Sequence, residues 1–372
     1  MKHIKVVLGA NFGDEGKGMT ARYFTKEGLK TGSVLNVLFN GGVQRGHTAA
    51  GHVFHCFGSG ALDGATTFYT PNFMVNPIGW NVETNNLGFY PRLIISPFCR
   101  ITTPFDIAIN QSVEKKRNEN RHGSCGMGIL ETRLRSKEFP ITMKDLKDEH
   151  NLYEKLKIID EVYYPKRCAE LGINTQKISI DDFMASAYLM HTKEGNVIVN
   201  TSPNTPIQAF DTTVYEGGQG LLLSEDNNDY FPNLTPSFTG SQIISHEINK
   251  SGVKDIEVCY VTRSYMTRHG AGRFDTECGK DAINPFIVDR TNMPNDFQGS
   301  LRFGYLDIGG LKRRIKNDIY RYLCSPEISV AVTQLNYTDG KLCCGENEKK
   351  NLSELSVLGK IYKSYEEDSL WV

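Results

Sequence analysis

What this chain of 372 residues lacks removes several classes of protein at once. It has no surplus charge: 42 Lys and Arg stand against 43 Asp and Glu, a net of −1. Bulk electrostatics therefore give no reason to bind nucleic acid or an anionic membrane. No stretch approaches the roughly 20 apolar residues that span a bilayer. The opening "MKHIKVVLGANFGDEGKG" turns to polar loop chemistry before a signal peptide's apolar region can form, which points to a cytoplasmic protein. The nine cysteines contain no C-x-x-C repeat. Odd in number and scattered, with Cys343-Cys344 the one adjacent pair, they read as buried or free thiols in a reducing compartment. Internal repeats and low-complexity segments are also missing.

What is present is a globular composition, 39% hydrophobic and 23% charged. The length suffices for a sizeable core in one large domain or two closely packed ones. Short β-branched runs recur at Ile4–Leu8, Val37–Phe39, Leu93–Ile95, Val197–Val199, Thr212–Tyr215, Val258–Val261 and Ser329–Val332. Helical patterns lie between them at Lys17–Glu27, Asp106–Arg117, Leu152–Leu171, Ile180–His191 and Ile308–Tyr322. Alternation of this kind predicts an α/β fold, a mostly parallel central sheet flanked by helices. In the last helix Leu311, Ile315, Ile319 and Leu323 form an apolar stripe at steps of four. The polar run 346–351, "ENEKKN", reads as a solvated loop. In such a sheet, functional residues belong in loops at the carboxyl ends of strands.

The first such loop is "GANFGDEGKG", residues 9–18. Glycines at a helix N-terminus allow an anion to approach backbone N–H groups. The standard phosphate loop needs a glycine at 11 and a hydroxyl at 18, and here Asn11 and Gly18 stand there. Gly13, Gly16 and Lys17 fit a phosphate site. Asp14 and Glu15 do not, unless a carboxylate there binds a metal or removes a proton. The second loop, "NGGVQRGHTAAGHVFH" (40–55), offers His47 between Gly46 and Thr48, with Gln44 and Arg45 beside it. Flanked in this way His47 is a catalytic candidate on a phosphate-facing turn, whereas His52 and His55 read as structural members of a following strand. In the third, "YEGGQGLLL" (215–223), a strand ends at Gly217 and Gly218 and presents Gln219, whose amide suits a purine edge. Arginine-bearing loops at 262–277 and 297–307 suit a carboxylate substrate.

Six segments in order resemble the adenylosuccinate synthetase family: "GANFGDEGKG", "NGGVQRGHT", "HGSCGMG" (122–128), "EGGQGLLL" (216–223), "TRHGAGRFDTE" (267–277) and "GYLD" (304–307). The resemblance implies a fold related to P-loop NTPases, a single domain over 1–372 with inserted helical and loop subregions, and a homodimer. It implies a carbon–nitrogen ligase working with Mg²⁺. The 6-oxygen of a purine nucleoside monophosphate takes the γ-phosphoryl group of a nucleoside triphosphate, and L-aspartate then displaces phosphate. On the family's pattern Asp14 is the base and a Mg²⁺ ligand together with the Gly46 carbonyl. His47 stabilises the transferring group, Lys17 holds phosphate and Gln219 grips the 6-oxygen. Gly13, Glu15, Gly16, Gly18, Gly46, Thr48, Gln334 and Asn336 fall to the triphosphate. Asn11, Gln44, Ser124, Cys125, Arg135, Gly218 and Thr239 fall to the monophosphate, and Thr267, Arg268, Gly270 and Arg302 to aspartate.

Three departures bear on substrate. The chain is compact for the family, its aspartate loop "GSLRFG" carries only Arg302, and the loop after Ser329–Val332 reads "TQLNYTDG". Where the family reads guanine with a Lys-x-Asp pattern, Gln334 and Asn336 stand here. An Asn cannot accept from both guanine N–H groups as a carboxylate does, and an unpaired buried donor costs about 1–3 kcal/mol. ATP or dATP is therefore expected to serve at least as well as GTP. Asn-Tyr at 336–337 also resembles the viral branch that makes 2-aminoadenylosuccinate from dGMP. The expected acceptor is dGMP or GMP, with IMP the alternative. Rival readings are a non-catalytic purine-nucleotide-binding protein, which has no need of Asp14 and His47 together, and a P-loop GTPase or kinase, which Gly18 disfavours.

Overall fold

Runs of Val, Ile, Leu and Phe too short to be buried helices line up side by side as parallel strands. In the computed structural model all residues are described except 121, 194, 201, 290–298, 367–368 and 371–372. Among the described residues the central sheet has nine strands: His3–Gly9 (β1), Val34–Leu38 (β2), Thr66–Tyr69 (β3), Leu93–Ile95 (β4), Val197–Val199 (β5), Thr212–Gly220 (β6), Asp255–Arg263 (β7), Glu327–Thr333 (β8) and Lys360–Lys363 (β9). Their order is β9-β8-β7-β1-β6-β2-β3-β4-β5, and every pairing is parallel. β1 lies between β6 and β7, so its Val6, Val7 and Leu8 are wholly buried. Burying a side chain of that size stabilises by roughly 1.5–3 kcal/mol. The loops after β1, β2, β6, β7 and β8 therefore emerge together at one edge, where a parallel sheet places its ligands.

The expected strands are all found. Two, Thr66–Tyr69 and Lys360–Lys363, escape the sequence because "TTFY" and "KIYK" are short and half polar. β6 runs straight through Gly217 and Gly218 to Gly220, so the glycines expected to end this strand lie within it. The long helix expected at Leu152–Leu171 is Glu149–Ile158 and Tyr164–Leu171 joined by a π turn over Ile159–Tyr163. Pro165 has no N–H for the preceding turn, and the wider turn absorbs that loss. The apolar stripe of the last helix holds at Leu311 and Ile315, both wholly buried. It fails at Leu323, which is 90% exposed because the helix spans only Ile308–Ile319. The run 346–351 is exposed as expected, but Glu348–Lys350 pairs with Leu342–Gly345 as an antiparallel hairpin rather than a loop.

All nine cysteines are free thiols. Among the described residues no helix is long and apolar enough to cross a membrane.

Candidate functional site

β1 delivers the chain into the first glycine loop, and the helix Lys17–Leu29 begins directly behind it. Gly16 caps this helix in a left-handed conformation with no side-chain cap, so its first N–H groups are left for an anion. The loop's carbonyls are held from outside it. Arg314 Nε donates to Ala10 O at 3.0 Å and the Leu222 N–H to Asn11 O at 2.9 Å. Arg263 Nε donates to Asp14 O at 2.5 Å, and Thr333 Oγ1 to Glu15 O at 2.9 Å.

The two acids of this loop part company. Asp14 sits at φ 56°, in the left-handed region, and lines the cleft. Glu15 is 2% exposed and folds back so that Oε1 accepts the Asn11 N–H at 2.5 Å. Burial pushes its carboxyl up to about 7, against the pull of Lys17, whose Nζ lies 3.9 Å from Oε2. Near neutral pH Glu15 thus carries only part of the charge that would repel phosphate. The hydroxyl expected of a phosphate loop has no room at Gly18: a Cβ there would stand 3.0 Å from His47 Cβ and 2.9 Å from Thr48 O.

His47 opens a short antiparallel hairpin, His47–Ala49 with His52–Phe54. Its Nδ1 lies 2.5 Å from Glu216 Oε1, and the buried Arg45 guanidinium reaches the same oxygen at 2.5 Å. Ser59 adds its N–H to Glu216 Oε2 and its hydroxyl to Oε1. Burial alone would raise the Glu216 carboxyl, but Arg45, His47 and Ser59 outweigh it and hold it at about 2. Burial first, then Arg45, lower His47 to about 3. The ring is therefore neutral. With Nδ1–H given to the carboxylate, Nε2 is the nitrogen left over, 3.4 Å from Gly218 O. Arg45, expected to face phosphate, is 1% exposed and serves Glu216 and the Phe57 carbonyl instead. His55 is structural as expected, its ring nitrogen bracing the Val43 and Arg45 carbonyls.

These elements enclose a cleft of about 1500 Å³. Asp14, Glu15, Gly16, Lys17 and Gly18 line one side, with Gln44, Gly46, His47 and Thr48 beside them. Ser124, Cys125, Gly218, Gln219, Arg268 and Gln334 complete it from four further segments. Several polar atoms here are buried without a partner, among them both amide atoms of Gln44 and Glu15 Oε2. Unsatisfied groups of this kind cost about 1–3 kcal/mol each, so their gathering at one place marks a binding surface. Burial pushes the Cys125 thiol up to about 11, which leaves it a poor nucleophile.

Other expected residues lie behind the wall. Gly13 lies just behind Gln219, the Asn11 amide bridges Arg314 and Thr262, and Thr239 is fully buried with Oγ1 unpartnered. Thr267 is buried beside Arg268, and Gly270 backs onto Gly123. Asn336 is exposed in the turn next to Gln334. Arg135 stands apart from the monophosphate group: it is wholly buried, paired with Asp106 at 2.9 Å and bonded to the Ile101 and Phe139 carbonyls. Its guanidinium is neutralised by Asp106 and lies out of contact with solvent. Arg302 is likewise engaged, forked onto Glu277 and donating to the Gly272 carbonyl at 2.8 Å.

Sequence reasoning missed Glu216, Arg263 and Arg314. A signal existed for Glu216, a lone carboxylate in the apolar strand "TTVYE" with Val7 and Leu38 as register partners. None existed for the arginines, whose partners are 249 and 304 residues away in the chain. Arg268 is held between Phe12 and Tyr230, with ring centroids 4.4 and 5.4 Å from its guanidinium carbon. Burial, then Arg302, lowers its pKa to about 10.

Known proteins bear on this geometry. The chain is 27% identical to the adenylosuccinate synthetase of Teredinibacter turnerae over 364 residues, 91% of this chain and 80% of that protein. It is 26% identical to that of Photobacterium profundum, over 97% of this chain and 84% of the other. Among solved structures it superposes on a fully ligated adenylosuccinate synthetase from Plasmodium falciparum with a TM-score of 0.71 at 22% identity, covering 90% of this chain and 77% of that one. It also superposes on the succinoaminodeoxyadenylate synthetase of cyanophage S-2L, bound to dGMP and dATP, with a TM-score of 0.62 at 13% identity, covering 99% and 93%. The family model for adenylosuccinate synthetase matches residues 6–351, and the chain belongs to that family of carbon–nitrogen ligases.

Proposed function

We propose that this ligase phosphorylates the 6-oxygen of dGMP or GMP with ATP or dATP and then joins L-aspartate, giving a 2-aminoadenylosuccinate nucleotide. The observation that carries the donor choice is Gln334, which lines the cleft where β8 ends, with Asn336 beside it and no carboxylate in Thr333–Tyr337 to accept from guanine. The compact chain and the coverage of the cyanophage enzyme over 93% of its length support the guanine acceptor. The ordinary family reaction with IMP and GTP is the second reading, favoured by Asp14. We further propose a homodimer in the cytoplasm.

The Asp14 carboxylate takes the N1 proton of the acceptor base, and charge moves to the 6-oxygen, which attacks the γ-phosphorus as the β–γ bridging oxygen leaves with the nucleoside diphosphate. Gln219 donates to that oxygen. Lys17 and the N–H groups opening Lys17–Leu29 hold the phosphate oxygens. His47 is neutral in the free protein, but negative charge developing opposite Nε2 reverses the effect of burial and Arg45. The ring then takes up a proton and stabilises the group in transit. Aspartate nitrogen next attacks carbon 6, phosphate leaves with the C–O bond's electrons, and the attacking nitrogen gives up a proton, so the product carries an N–H on its 6-substituent and none at N1. A hard oxygen site fits Mg²⁺: the Asp14 carboxylate and Gly46 carbonyl line the same cleft. Mg²⁺ is commonly held by one or two carboxylates with substrate phosphates rather than by an all-protein cage. When bound, it neutralises phosphate charge.

Incubating the enzyme with aspartate, one of ATP, dATP or GTP, and one of dGMP, GMP or IMP, with products read by mass spectrometry, tests both choices. A succinyl product from dGMP with ATP or dATP is expected. Product from IMP alone, or only with GTP, rejects the reading.

A further inference from the structure

Asp14 is the residue of the first loop whose backbone most needs help. With a Cβ and φ of 56° it occupies a region that residues other than glycine rarely enter, and a return to the right-handed region would swing the peptides on both sides of it. That swing is opposed by one side chain at the Asp14 carbonyl. Arg263, at the last position of β7 and 5% exposed, donates from Nε to Asp14 O at 2.5 Å. The rest of its fork is fixed as well: Nη2 donates to Asp289 Oδ2 at 2.8 Å and Nη1 to the Tyr265 hydroxyl at 3.3 Å. Thr333 Oγ1 holds the next carbonyl, Glu15 O, at 2.9 Å. Arg263 and Asp289 both line the cleft.

We infer that Arg263 is a positioning residue for the reaction: its guanidinium locks the left-handed backbone at Asp14 from the strand side, so that the Asp14 carboxylate is presented to the acceptor base, and Asp289 aligns the guanidinium for that task. The inference rests on the proposed role of Asp14. A planar fork suits this bracket better than an ammonium, because three partners in different directions must be met at once. The bracket donates to a main-chain oxygen, so it fixes where Asp14 points without taking up either carboxylate oxygen.

The test compares Arg263→Met, Arg263→Lys and Asp14→Asn with the double variant Asp14→Asn/Arg263→Met. Misplacement of a reacting group by about 1 Å costs on the order of 10²-fold in rate. Arg263→Met is expected to lose about that much kcat while the acceptor KM stays within about threefold. Arg263→Lys, which can reach one partner but not three, is expected to regain about tenfold of the loss, and it carries the test should Arg263→Met fail to fold. Calorimetric binding of MgATP supplies a readout apart from turnover. Arg263→Met is expected to weaken it in the parent protein and to add no further loss in the Asp14→Asn background, because the two act through one group. Parent-like kcat in Arg263→Met or Arg263→Lys, or an equal loss of MgATP affinity in both backgrounds, overturns the positioning role. Parent-like turnover in Asp14→Asn overturns the reading of Asp14 beneath it.

Discussion

The two ends of the cleft are built on opposite rules. At the phosphate end, the carbonyls of Ala10, Asn11, Asp14 and Glu15 are held by Arg314, Leu222, Arg263 and Thr333. All of these are donors, and each spends one N–H or O–H on the loop's main chain. Of the two arginines proposed for the amino donor, Arg268 lines the cleft between Phe12 and Tyr230, whereas Arg302 already holds a carboxylate, that of Glu277. The first end is organised before substrate arrives, so little free energy is lost in ordering it. On the proposed function, Arg302 would exchange Glu277 for a substrate carboxylate, so that the phosphoryl end is fixed in advance and amino-donor capture is left to a substitution of ion pairs.

The largest expected effect tests the preorganised end directly. Asp14→Asn keeps the shape but loses the base, and phosphate release with any purine monophosphate should fall on the order of 10³-fold or more. Activity within about tenfold of the parent, by initial rates, would break the contrast by showing that the loop's geometry suffices alone.

Next comes Glu216→Gln, which leaves Arg45 buried without its counter-charge and should cost about 3–5 kcal/mol in chemical denaturation. The pH dependence follows from the sign of the shift. Glu216 is held at about 2, below its unfolded value near 4.5. Its contribution is present above the unfolded value and is lost as pH falls from there toward 2. The parent's melting temperature should therefore drop through that window, and the variant's drop should be shallower. Parallel acid limbs would remove Glu216 from the frame of His47.

How much of this was legible differs between the same two ends. Glycine spacing and the apolar run before it are local, so Asp14, Lys17, His47 and Gln219 could be found from the chain and do meet in one cleft. Six of seven expected strands lie within the observed ones, and Val37–Phe39 overshoots Val34–Leu38 by one residue. The partners of Arg45, Arg135 and Arg302 were not legible because a guanidinium's partner is a matter of tertiary structure. Glu216, Asp106 and Glu277 claim them from 171, 29 and 25 residues away. Residues 297–298, the start of the expected arginine loop at 297–307, lie outside the described residues.

A smaller effect sharpens the reading of the donor base. Restoring a family-like pair with Gln334→Lys and Asn336→Asp should shift the ratio of kcat/KM for GTP over ATP upward by about tenfold, in line with 1–3 kcal/mol per satisfied donor. An unchanged ratio places base recognition elsewhere. Smallest is Glu277→Gln. The pair is partly exposed, with side chains 26% and 44% accessible, so stability should change by about 1 kcal/mol or less. The aspartate KM should nevertheless fall by about two- to fivefold as Arg302 is released from its internal rival. A KM that stays put removes Arg302 from aspartate capture.

At Gly220 the last residue of β6 meets the first loop without any side chain between them: a Cβ there would fall 2.1 Å from Asn11 O and 2.6 Å from Gly13 N. The spacing between the strand that presents Gln219 and the loop that presents Asp14 is thus a main-chain dimension, outside the reach of side-chain substitution. Positions such as 334 and 336 hang from loops at the rim and are under no such constraint. On the proposed function, the donor base can be exchanged by altering this rim while the alignment of oxygen and phosphorus at the centre is untouched. In a saturation library, position 220 should return glycine alone, whereas 334 and 336 should accept many residues.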